Sequence, residues 1–154
     1  MSICLVDTTV FCNIVPVPGR DQDRETVLAA LEANITKGVV HLLPLAAIVE
    51  TGNFVAQCAS GDVRRQTAAK FAGLVRDAIE GRTPFTPTPP FEPQAVLDWL
   101  DGFPDHAMRG IGFADLSIVR EFERQCSLHP TQHIFIWSLD RHLSGYERPA
   151  PLSR

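Results

Sequence analysis

The sequence predicts an α/β fold with a central, mainly parallel sheet flanked by helices. Three observations carry this reading. The short apolar runs ICLV (3–6), VVHLL (39–43) and IFIW (134–137) have the length and β-branched content of buried strands. The longer segments between them place apolar residues at helical spacing. The two kinds of segment alternate along the chain, which is the pattern of strand–helix–strand units. A length of 154 residues fits one domain, and 45% hydrophobic against 21% charged residues is enough for a core. The domain is set at residues 1–148, with 149–154 as a tail, inside a Pro-containing end that starts at Glu147.

Ile3–Val6 is the first strand. Asp7, Thr8 and Thr9 end it and cap a short helix over Val10–Val15, which Pro16, Pro18 and Gly19 break. Asp21–Lys37 holds Val27, Leu28, Leu31 and Ile35 on one helical face, and Gly38 suits the position just past its end. After the strand Val39–Leu43, Pro44 fits the first turn of a helix running to Ala59. Asp62–Glu80 is amphipathic, with Phe71, Leu74, Val75 and Ala78 inward, and Gly81 stops it.

Five prolines within Thr83–Pro93 exclude a helix there. The segment reads as an extended crossing with an edge strand near Phe85–Thr86. Gln94–Asp101 is a short helix with Val96, Leu97 and Leu100 inward. Gly102–Gly112 is a loop, Phe113–Cys126 a helix, Ile134–Trp137 the last strand, and Arg141–Tyr146 a helix or turn. Trp99, Trp137 and His41 read as core residues.

A formal net charge of −4 gives no bulk attraction to nucleic acid. A bound cation and a local basic rim reverse the field where it matters. Cys4, Cys12, Cys58 and Cys126 form no CxxC pair and no zinc-type spacing with histidine, so they read as free thiols of a reducing cytoplasm. The first residues lack a basic stretch and no apolar run reaches 18 residues, so a soluble protein without membrane association is expected.

Four carboxylates interrupt apolar segments: Asp7 in ICLVDTTVF, Glu50 in LAAIVETGNF, Asp115 in GIGFADLSIV and Asp140 in IFIWSLDRH. Singly, Asp7 and Asp140 read as caps after strands, and Asp115 as a helix-start residue favoured by the helix dipole. Glu50 shares a helical stripe with Ala47, Phe54 and Cys58, and Asp115 shares one with Val119, Phe122 and Cys126. A set of buried acids needs a counter-charge. Asp7 and Asp140 follow strands, and in open α/β sheets the functional crevice lies beyond the carboxyl ends of the strands. An oxygen-only donor set suits Mg²⁺ or Mn²⁺, which assist hydrolysis of phosphodiesters.

These residues resemble a PIN domain, the fold of many metal-dependent ribonucleases, over nearly the whole chain. The resemblance lies in VDTTVF, with the first Asp after an apolar strand, and in PLAAIVET, with a Glu on the helix after the second strand. It continues in GIGFADLSI, with an Asp opening a late helix, and ends in Ser138-Leu139-Asp140 after the last strand. By that resemblance, Asp7, Glu50, Asp115 and Asp140 bind Mg²⁺ or Mn²⁺ and carry in-line hydrolysis of RNA. Thr9 and Ser138 orient the carboxylates by hydrogen bonds. VapC-type members add the toxin of a type II toxin–antitoxin pair, with an antitoxin partner and a homodimer. Asn13, Arg109 and Arg141 lie near the acidic positions in sequence and are candidates to hold RNA, against their ordinary readings as a local cap and surface charges. Two other classes stand beside the nuclease. One is a PIN-like module that binds RNA or protein without catalysis. The other is a phosphotransferase using Asp7 as nucleophile, which Thr9 disfavours because that chemistry wants a second Asp there.

Overall fold

The computed structural model describes residues 1–153. The described residues form β1 (Ser2–Val6), α1 (Thr8–Ile14), α2 (Arg24–Thr36), β2 (Val40–Leu43), α3 (Leu45–Ala56), α4 (Gly61–Ile79) and β3 (Phe85–Pro87), then α5 (Pro93–Met108), α6 (Phe113–Leu128), β4 (His133–Trp137) and β5 (Glu147–Arg148). The sheet order is β3-β2-β1-β4-β5. The first four strands run parallel, and β5 is antiparallel to β4. The chain leaves β1 toward β2 on one side and returns to β4 on the other, so the strand order reverses between β1 and β4. Crevices form at such points, past the carboxyl ends of the strands.

Alternation along β1 divides the core. Cys4 and Val6 face a cluster with Val10 and Phe11 of α1, Val27 of α2, Ala47 and Val55 of α3, Ala78 of α4 and Phe85 of β3. Ile3 and Leu5 face the opposite cluster, with Ile118, Val119 and Phe122 of α6 and Ile134 and Ile136 of β4. The sheet is thus covered on both faces, as a parallel sheet requires. Gly38 follows α2 with φ of 72°, the left-handed conformation that a glycine adopts without strain. No helix among the described residues is long and apolar enough to cross a membrane.

The structure corrects several expectations. The α5 helix runs through Gly102 and Pro104 to Met108, where the sequence suggested a loop from Gly102. Its inward stripe is Val96, Trp99 and Phe103, while Leu97 and Leu100 are exposed. Aromatic packing decides this: Phe113 of α6 meets Trp99 and Phe103 with ring centroids 6.3 and 5.2 Å away, and Phe91 meets Trp99 at 4.7 Å. Burial of those rings outweighs the poor helix propensity of Gly and Pro. The α3 helix ends at Ala56 rather than Ala59, so Cys58 is buried from a turn. Residues 141–146 form a turn whose Leu143 is buried. Glu147 and Arg148, read as the start of a tail, form β5. Arg148 donates to the carbonyls of Cys126 (2.6 Å), Gln132 (2.7 Å) and His129, and so ties β5 to the end of α6.

Candidate functional site

Asp7 is the N-cap of α1, with its backbone N–H bonded to Trp137 of β4 at 3.0 Å. It is almost fully buried, at 2% exposure. Its Oδ2 accepts from Thr9 Oγ1 and from Ser138 Oγ, both at 2.8 Å, and more weakly from the Thr9 N–H at 3.4 Å. No hydrogen bond from the described residues reaches Oδ1. One oxygen is therefore held by the protein while the other keeps its lone pairs for something else. Thr9 Oγ1 also accepts from the Leu139 N–H at 3.0 Å, which joins the ends of β1 and β4.

Glu50 sits on α3, half-buried, and its Oε1 accepts from Thr8 Oγ1 at 2.8 Å. Asp140 follows β4 in a tight turn: its N–H donates to Ser138 Oγ (2.9 Å), and its Oδ1 accepts from the His142 N–H (2.9 Å). Asp115 lies in the first turn of α6 and has no hydrogen-bond partner for its carboxylate among the described residues. Burial, and then the charges of Asp7, Glu50 and Asp140, push Asp115 up from an ordinary 3.8 to about 6. The acids thus act on one another electrostatically although they come from four separate elements.

All four line a single cleft of about 390 Å³, with Thr8, Thr9, Cys12, Asn13, Arg20, Asp23 and Phe54 among the remaining walls. The acids are nevertheless spread around it. Among the described residues, no three Asp, Glu, His or Cys side chains stand close enough together to hold an ion. The donor chemistry suits a hard divalent cation, because the acids contribute only oxygens and Asp7 leaves Oδ1 without a partner.

Three residues considered for RNA contact fall differently. Asn13 lines the cleft, but its amide donates to the Thr9 carbonyl (2.9 Å) and its Oδ1 accepts from the Asp23 N–H (3.0 Å). Its polar atoms are used in holding the 16–23 loop to α1. Arg109, at the end of α5, and Arg141, in the turn after β4, are exposed and do not line the cleft. Sequence reasoning passed over Thr8, Arg20, Asp23 and Phe54. Thr8 carried a usable signal, a hydroxyl directly after a capping Asp. Arg20 and Asp23 lie in an aperiodic loop that gives no hint of where it folds back.

No family model matches the chain, and no curated protein matches it. Among solved structures, it is similar to the crystal structure of FitAcB from Neisseria gonorrhoeae. The TM-score is 0.55, with 21% sequence identity over 89% of this chain and 87% of that one. At that identity the likeness bears on architecture: this is a single α/β domain of PIN-like fold, in which the described residues form a five-stranded, mostly parallel sheet and six helices.

Proposed function

We propose that the chain is a Mg²⁺- or Mn²⁺-dependent endoribonuclease. The observation that carries this reading is the meeting of Asp7, Glu50, Asp115 and Asp140 in one cleft past the ends of β1 and β4. Asp7 offers Oδ1, held in place by the Thr9 and Ser138 hydroxyls on Oδ2. Thr8 fixes Glu50 in the same manner. Asp140 is fixed by its own turn, and a positive neighbour would favour the charged form of Asp115, which burial and the nearby acids oppose. When bound, a divalent cation neutralises the acids, polarises a phosphoryl oxygen and offsets the charge developing there. The protein's part is to orient four carboxylates from rigid elements and to admit an RNA strand at an open cleft. The motif likeness to VapC-type members extends the proposal to the toxin of a type II pair, with an antitoxin partner, a homodimer and a cytoplasmic setting.

The test is digestion of RNA by purified protein in Mn²⁺, in Mg²⁺ and in EDTA. Cleavage is expected with the ions and not in EDTA. Asp7→Asn and Asp115→Asn are expected to reduce it by at least about a hundredfold while circular dichroism shows intact folding. Cleavage that survives either substitution defeats the proposal. The spread of the acids favours a second reading, a PIN-like module that binds RNA or protein without catalysis. Calorimetry distinguishes the two: absence of Mn²⁺ binding supports the module.

A further inference from the structure

One cation lines the acidic cleft without being used by the chain. Arg20 follows Gly19, whose φ of 82° turns the backbone, and its own N–H donates to the Val17 carbonyl at 2.9 Å. Its guanidinium carbon lies 3.4 Å from the centroid of the Phe54 ring on α3. At that separation the guanidinium rests on the ring face. Five carboxylates line the same cleft: Asp7, Asp23, Glu50, Asp115 and Asp140. Among the described residues, the Arg20 side chain nevertheless takes part in no hydrogen bond and no ion pair. The face of Phe54 and the turn at Gly19–Arg20 are the contacts that position it.

The loop is itself well tied down. Asn13 receives the Asp23 N–H, Gln22 Nε2 donates to the Gly19 carbonyl at 2.6 Å, and Arg24 donates to the carbonyls of Asn13 (2.6 Å) and Ile14 (2.7 Å) at the end of α1. Arg20 is thus exposed, positively charged and preorganised on the rim of a negative cleft. A polyanion approaching such a cleft needs a cationic foothold beside the acids, and the planar fork of arginine matches two phosphate oxygens.

We propose that Arg20, seated on Phe54, is the phosphate anchor of the substrate strand, gripping a backbone phosphate next to the one that faces the carboxylates. The inference rests on the nuclease reading and names the residue that holds its substrate. Steady-state cleavage of a fluorescent RNA oligonucleotide in Mn²⁺ tests it, with wild type, Arg20→Ala, Arg20→Lys and Phe54→Leu compared over a range of salt. Arg20→Ala is expected to raise KM about tenfold or more, to change kcat little, and to lower the salt dependence of 1/KM by about one counterion. Arg20→Lys restores part of the loss, because charge returns without the fork, and Phe54→Leu shows a smaller rise in KM. Calorimetric Mn²⁺ affinity stays at the wild-type value. An active wild type with KM and salt dependence unchanged in Arg20→Ala overturns this inference alone. A wild type that binds Mn²⁺ but neither binds nor cleaves RNA overturns the nuclease reading and this anchor with it.

Discussion

At the scale of single residues, the clustering of acids in the cleft has a cost in stability. Asp115 titrates at about 6 in the fold against an ordinary 3.8, because burial and three neighbouring acids oppose its charge. A raised folded pKa means that the proton, not the charge, favours the fold. The contribution is full below about pH 4 and is lost as the pH rises through about 6. Asp115→Asn removes the charge at every pH. In EDTA at pH 7.5 the variant is expected to be more stable than wild type by about 1 kcal/mol, after allowance for partial solvent exposure. The difference should vanish near pH 4. Saturating Mn²⁺ should reverse the order, because a bound ion stabilises the form that retains all its ligands. Thermal melts with and without metal check both parts, and a variant that melts lower in EDTA contradicts the electrostatic account.

Among elements, β5 and α5 show where local pattern misleads. Two residues are too short for any alternation, so β5 was invisible as a strand. Its existence depends on Arg148, which reaches the carbonyls of Cys126, His129 and Gln132 and stands in for a cap on α6. Arg148→Leu leaves those carbonyls without the guanidinium and should cost about 2 kcal/mol, as the loss of charge-assisted hydrogen bonds does. Amide exchange at Ile136, whose N–H bonds to the Tyr146 carbonyl at 3.0 Å, should quicken more than exchange in β1. Equal exchange at both places would show that β5 is held by something else. In α5 the Gly and Pro of 102–104 gave a correct statement about propensity and a wrong one about structure. The ring that packs on Trp99 and Phe103 is Phe113 of the next helix, and helical periodicity does not reach across the turn between the two.

For the whole molecule, the sheet encloses a polar ring in an apolar setting. His41 is 1% exposed, faces Phe85 and Trp137 with ring centroids 6.0 Å away, and pairs across the sheet with Cys4. Neither ring nitrogen has a hydrogen-bond partner among the described residues. Burial, only partly offset by the nearby Val39 backbone, which is not in good hydrogen-bonding geometry, holds its pKa below the ordinary 6.5. A depressed folded pKa means that the unfolded chain takes the proton first. Stability from this group is therefore whole above about pH 6.5 and is lost as the pH falls toward the folded value. Denaturant titrations from pH 7 to 5 should show wild type losing up to about 1.4 kcal/mol per pH unit more than His41→Phe. Parallel pH profiles for the two proteins would mean that His41 is not the group responsible.

The sequence by itself determined the α/β class, the parallel strands, the edge strand at Phe85–Thr86 and the four acids at element ends and on helical faces. Each of these follows from periodicity, breakers and capping within a dozen residues, and local physics is what a linear pattern records. The tertiary structure alone decided that Asp7, Glu50, Asp115 and Asp140 share a cleft, that Thr8 reaches Glu50 across 42 positions, and that Arg20 rests on Phe54 while Asn13 is spent on its own loop. Those are long-range pairings. They arise from the parallel crossover between β1 and β2, which sets α1 and its following loop against α3, and from the return of the chain to β4 beside β1, which brings Asp115 and Asp140 to the same end of the sheet.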